Sequence, residues 1–234
     1  MTNSLADALR RDETLAALLA AGLPEAPLLA LAAEAQCAAL DALQRGDEEG
    51  ALGRTIAIAE RALDELAAAR RRSLTVLPDL ACRKGCSSCC QLRVEITELE
   101  ARRLVGPIRA LHLELTIEQR AREVGSLSKN ERLKRHVSCA LLGEDGACRV
   151  HEVRPLACRA ANSFDRVACE RAFAAADVTA PLPVDSPRIG IQRACAVGLR
   201  TAQALLGLPN DLLELHVAVT RALVVDSGAT NSPE

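Results

Sequence analysis

Tryptophan and tyrosine are absent from this 234-residue chain, and only two phenylalanines, Phe164 and Phe173, are present. A core without aromatics must be built from Leu, Ala, Val and Ile, and Ala and Leu are strong helix formers, so an all-α fold is expected. The same scarcity removes the stacking platforms on which single-stranded nucleic acid is held. An excess of positive charge is also lacking: the formal net charge is −2, which excludes the basic balance of a general nucleic-acid binder. No apolar run approaches the ~18–20 residues of a membrane span, so no membrane partner is expected. The opening segment, MTNSLADALRRDETL, places Asp7, Arg10 and Arg11 where an export signal would carry its apolar core, which points to the cytoplasm.

Helical spacing dominates both ends. Leu28, Leu31, Ala32, Ala35, Ala39 and Leu43 recur on one face until Gly46, and Ile56, Ala59, Leu63 and Leu66 mark a second helix ending at Arg70, Arg71 and Arg72. That arginine triplet reads as a solvated helix end suited to the negative pole of the dipole. Ser73 to Asp79 reads as extended. Thr97 to Glu100 has capping-box spacing, Thr116 to Gln119 offers a second box, and Gly106-Pro107 should bend or end the helix between them. The stretch from Val137 to Pro183 is irregular. Residues 189–206 and 211–225 read as two closing helices. The chain thus divides into a helical region over 1–75, a cysteine-rich region over 76–183, a helical pair over 184–225 and a disordered polar tail over 226–234, together forming one domain.

The cysteines carry the chemistry. Cys82, Cys86, Cys89 and Cys90 read C-x3-C-x2-C-C, and Cys139, Cys148 and Cys158 follow, the last inside Arg-Pro-Leu-Ala-Cys-Arg. Clustered thiolates repel one another and oxidise, so such a cluster implies a metal or disulfides, and a reducing cytosol favours the metal. Of the ten cysteines, Cys37 and Cys195 lie in Ala-rich helical patterns and read as buried structural thiols. Cys82, Cys86, Cys89, Cys90, Cys139, Cys148, Cys158 and Cys169 remain as candidate ligands. Cys169 is either an eighth ligand or a free thiol near the site. Arg154 and Arg159 flank Pro155 and Cys158, where their guanidinium groups would offset thiolate charge and bind the cofactor from outside its ligands. Arg83, Lys84, Arg93 and Arg149 could assist. His151, three residues after Cys148, reads as packing around the site, with ligation through a ring nitrogen as the alternative. His112, His136 and His216 read as ordinary surface or core histidines.

The combined motif, C-x3-C-x2-C-C followed by C-x8-C-x2-H-x2-R-P-x2-C-R, resembles the YkgJ-like cysteine-cluster family of zinc- or iron-chelating domains, over about residues 80–160. It departs from that family in having three residues, not two, between Cys82 and Cys86. The motif is also similar to one in flagellin lysine N-methylases, which the resemblance links to an iron–sulfur cluster. An iron–sulfur cluster, or iron, is therefore the expected cofactor, with zinc as the alternative; both metals accept four thiolates.

Three functions remain open. The first is a metal-binding module in iron handling, electron transfer or redox sensing. The second is a metal-dependent modifying enzyme related to the protein lysine N-methylases, with a substrate pocket lined by Arg154, Arg159 and the turn from Asn162 to Asp165. The third is a structural zinc site in an interaction protein. The partner is accordingly a protein or a small-molecule substrate. No nucleophile–base pair and no Gly-rich loop after a strand identifies a catalytic site.

Overall fold

The computed structural model describes residues 4–73, 77–177 and 179–229. In chain order they form helices α1 (Leu5–Arg11), α2 (Glu13–Ala20), α3 (Glu25–Gln44) and α4 (Glu48–Arg72), then strand β1 (Glu95–Ile96). Helices α5 (Glu98–Ala110), α6 (Glu114–Val124), α7 (Lys129–Lys134), α8 (Leu156–Ala160), α9 (Arg166–Ala174) and α10 (Ser186–Leu205) follow. Strand β2 (Leu213–Glu214) and helix α11 (Leu215–Ala229) close the chain. The strands pair antiparallel, Glu95 with Glu214 and Ile96 with Leu213. The fold is all-α apart from this two-residue ribbon.

Two compact units share the chain. The first comprises Met1–Asp79, Arg159–Asn162 and Asp185–Asn210; the second comprises Leu80–Cys158, Ser163–Val184 and Asp211–Glu234. The closing helical pair is thus divided between them, α10 in the first and α11 in the second. The reason lies in the faces. Helix α10 packs through small residues against α3: a Cβ on Gly198 would lie 2.3 Å from the Ala32 carbonyl oxygen and 2.9 Å from the Gln36 nitrogen. Only glycine admits so close a backbone approach. Helix α11 carries Leu215, Val219 and Leu223 instead, and joins the core of Ile96, Leu104, Ile108 and Ile117.

In the first unit, Leu28, Ala32, Ala35, Ala39 and Leu43 form the buried stripe of α3, and Gly46 at φ 74° follows its end. Cys37 falls off that stripe and is exposed, whereas Cys195 is buried as expected. Burial pushes the Cys195 thiol up to about 12. Contrary to the expectation that no run approaches a membrane span, helix α3 is long and apolar enough to cross a membrane by length and composition. Its apolar face is the one covered by α10 and α4. The arginine triplet is not wholly a solvated end either. Arg70 is 29% exposed and pairs with Asp185, which caps α10 and is 1% exposed.

Several local expectations change in the second unit. Thr97 and Glu100 do form a capping box on α5. Pro107 does not end that helix, which continues to Ala110; so near the C-terminus a proline removes only one hydrogen bond. Thr116 lies inside α6, and the second box is Ser128 with Glu131 at the start of α7. The segment read as irregular contains α8 and α9, and α11 continues through residues 226–229 assigned to the tail. Residues 74–76 of the expected extended segment, Val178 and residues 230–234 lie outside the described residues.

Candidate metal centre

The cysteines of the second unit sit on a loop, a hairpin and two short helices. Residues 80–92 contain no α-helix, only a 3-10 turn over Ser88–Gln91 whose residues are half-buried. The hairpin closes by an antiparallel bridge between Leu142 and Cys148, with the Arg149 N–H donating to the Leu141 carbonyl at 2.9 Å. Loop and hairpin meet at two glycines. Gly85 and Gly146 have φ of 85° and 74°, and a Cβ on Gly146 would lie 3.1 Å from the Gly85 carbonyl oxygen. Beside them Lys84 pairs with Asp145 at 3.5 Å, and the Cys139 N–H donates to the Cys90 carbonyl at 2.8 Å.

Cys158 is placed by α8. The N–H of Leu156, the first residue of that helix, donates to Glu100 Oε1 at 3.0 Å, while Glu100 Oε2 accepts the Thr97 N–H at 3.0 Å. One buried carboxylate therefore caps two helices, satisfying donors that would otherwise be orphaned. Cys139, Cys148 and Cys158 all pack, partly buried, against the second unit's main core.

Among the described residues the cysteines are free thiols, and their charges interact in two overlapping groups. Cys89, Cys90, Cys139, Cys148 and Cys158 form one. Burial pushes Cys139 up to about 11, with the Cys148 charge acting in the same sense. Burial raises Cys158 further, reinforced by Cys139, Cys89 and Cys148, and Cys148 is also raised, against a lowering by Arg154. Cys90 is raised by its hydrogen bond to Cys89, then by burial and by the charges of Cys89, Cys139 and Cys148. Cys89 moves the other way, to about 7, because Cys90 donates to it and Arg154 lies nearby. The second group is Cys82, Cys86, Cys89 and Cys169: burial raises Cys82, aided by the charges of the other three. Cys89 belongs to both.

The remaining candidates sort clearly. Cys82 is exposed, and its Sγ accepts the Ser163 N–H at 3.2 Å. Cys86 lines a surface cleft of about 240 Å³ together with His136, Gln91, Glu170 and Phe173. Cys169 is buried beside Leu133 and Phe173. Arg154 lies close enough for its charge to lower Cys89 and Cys148, and Arg159 Nη1 pairs with Glu60 at 3.2 Å. Arg93 is engaged by Glu95 and by the carbonyls of Gly125 and Leu127. His151 is largely exposed and contacts Glu152 at 3.2 Å. The turn from Asn162 to Asp165 is spent on structure: Asn162 Oδ1 accepts the Asp185 N–H at 2.7 Å, and Asp165 caps α9.

Among the described residues, no three Cys, His, Asp or Glu side chains converge tightly enough to enclose an ion as they stand. The donor chemistry nevertheless fits a thiophilic metal. Free sulfurs on three tethered segments share one electrostatic environment with a guanidinium beside it, and a metal that binds such thiols displaces their protons. A change of χ1 rotamer moves a cysteine sulfur without moving the backbone.

One constellation had no signal in the motif. Glu214, 2% exposed, accepts from Arg132 Nη1 at 2.6 Å and from His216 Nδ1 at 2.8 Å. His216 Nε2 accepts the Ala140 N–H at 3.1 Å. An amide can only donate, so Nε2 is unprotonated and the imidazole is neutral. Arg132 sits in the charged run Lys-Asn-Glu-Arg-Leu-Lys; only the alternation Glu214, His216 hints at a paired carboxylate and imidazole.

This network makes stability depend on pH. Burial holds the His216 imidazole below its ordinary 6.5, helped by the charges of Arg132 and Arg120 and opposed by Glu214. Burial pushes the Glu214 carboxyl up, but the bond from His216 and the Arg132 charge leave it below 4.5. In both cases the unfolded chain binds the proton first. Stability is therefore full above the ordinary histidine value, begins to fall as pH drops below 6.5, and falls again below 4.5. Melting temperatures measured from about pH 8 to about pH 4 should decline in that order; a curve flat from about pH 7.5 to about pH 5.5 would contradict it.

Residues 81–178 match the family model CxxCxxCC, described as "Putative zinc- or iron-chelating domain". The match covers less than half of the chain but spans the loop, the hairpin, α8 and α9. No curated protein and no solved structure matches the chain.

Proposed function

We propose that the chain, whose residues 81–178 match a zinc- or iron-chelating domain, holds iron in an iron–sulfur centre and serves in iron handling, electron transfer or redox sensing. The observation that carries this reading is the set Cys89, Cys90, Cys139, Cys148 and Cys158, mutually interacting with Arg154 close by. These residues supply the four thiolates that an iron–sulfur cluster takes. When bound, the cluster would supply one-electron chemistry. The protein's own residues supply the thiolates, and Arg154 offsets part of their negative charge, as groups around the ligands do in other metal sites. Cys82 is exposed and Cys86 opens on the cleft, so one side of the site stays within reach of solvent. That suits a centre whose metal or electrons are exchanged. The similarity to the cysteine motif of the lysine N-methylases supports iron over zinc.

Anaerobic purification followed by metal analysis and an absorption spectrum tests this. Iron with acid-labile sulfide and a broad visible absorbance is the expected result. Stoichiometric zinc in a colourless protein would overturn the iron reading and keep the metal-binding one. Protein that takes up neither metal, even when reconstituted, would overturn both.

A further inference from the structure

We propose that Glu214 and His216 are positioning residues for the metal centre, fixing the Cys139 segment so that the Cys82–Cys90 loop closes onto a prepared half-site; the inference rests on the metal-binding reading above. Every hydrogen-bonding atom of the pair is committed. Glu214 Oε1 takes Arg132 and the His216 ring, and Oε2 takes the backbone N–H groups of His216 at 2.8 Å and Val217 at 3.2 Å. The carboxylate thereby fixes the imidazole's tautomer, and the free Nε2 grips the Ala140 N–H at 3.1 Å. Ala140 follows Cys139 directly, and the Cys139 N–H is bound in turn to the Cys90 carbonyl. His216 is 1% exposed and Ala140 8%, so this tether is inside the core. The loop opposite is held by backbone and surface contacts instead, the Lys84–Asp145 pair and its Cys90 carbonyl among them, and no residue of its Ser88–Gln91 turn is fully buried. Ligand-bearing segments held by buried hydrogen bonds lose little freedom when the ion arrives. The order of assembly follows: Cys139 and its neighbours are placed first, and the loop is ordered by the metal.

The test uses the full apo-protein and Co²⁺ as probe, because thiolate-to-cobalt charge-transfer absorbance grows with each sulfur bound. His216→Leu removes the acceptor and should bind Co²⁺ about tenfold more weakly or worse, with reduced charge-transfer intensity. His216→Gln restores an acceptor at the ε position and should recover both. A purely structural histidine would shift the melting temperatures and leave the absorbance per bound ion unchanged. Should His216→Leu fail to fold, hydrogen exchange in the wild-type apo-protein decides: amides 139–142 should be more protected than amides 82–90 before metal is added, and the loop amides should gain the most protection after. Wild-type Co²⁺ affinity and absorbance in His216→Leu, or amides 139–142 exchanging as freely as the loop, would overturn the proposal alone. A wild-type protein that binds no Co²⁺, Zn²⁺ or iron would overturn the metal-binding reading and this inference with it.

Discussion

Cys158→Ser and Cys86→Ser are each expected to strip most of the bound metal, whereas Cys37→Ser and Cys195→Ser should leave the metal-to-protein ratio at the wild-type value. Cys158 lies within the electrostatic reach of Cys89, Cys139 and Cys148, and Cys86 within that of Cys82, which shares Cys89 as a neighbour. Serine is too hard a ligand for a thiophilic ion and keeps its proton near neutral pH. The affinity loss should therefore exceed the ~10–100-fold of a change outside the ligands. Cys37 and Cys195 belong to the first compact unit, which contains none of the motif cysteines. Metal content of the four variants, measured after equal reconstitution, decides the matter. Retention by Cys158→Ser, or equal loss in all four, would undo the ligand assignment.

Glu214→Ala should lower stability by about 3–5 kcal/mol, because it strands the Arg132 charge in the core. Arg132 is 2% exposed and Glu214 2%, so solvent cannot screen or rehydrate the orphaned guanidinium. In a unit of this size the loss corresponds to roughly 10–20 °C in melting temperature. The double variant Arg132→Met/Glu214→Gln should recover part of it: no charge is left unpaired, and the amide oxygen still accepts one of the N–H groups that Glu214 served. Thermal melts of the metal-free proteins measure both. Glu214→Ala melting together with the wild type, or a double variant no better than the single, would show that the pair does not hold this unit together.

The all-α class followed from residues alone, because local terms dominate there. An Ala- and Leu-rich chain with apolar residues three and four apart specifies helices whatever they pack against, and the Leu28 to Leu43 stripe of α3 is the face the structure buries. The capping box of Thr97 and Glu100 was equally legible, since its atoms lie within four residues. The cysteine motif announced a thiophilic site by spacing, and the family match covers the same segment.

Tertiary structure decided what depends on partners distant in sequence. It sent α10 to the first unit and α11 to the second, through the Gly198 approach to α3 in one case and the Leu215–Val219 face in the other. It also separated two arginines that looked equivalent around Pro155: Arg154 acts on Cys89 and Cys148, while Arg159 lies on the next turn and meets Glu60, 99 residues away in sequence. Glu100 as a cap for α8, 56 residues on, and Glu214 as the partner of Arg132, 82 residues away, left no local trace. A buried charge is tolerated only where its counter-charge arrives, and that arrival is a property of the folded chain.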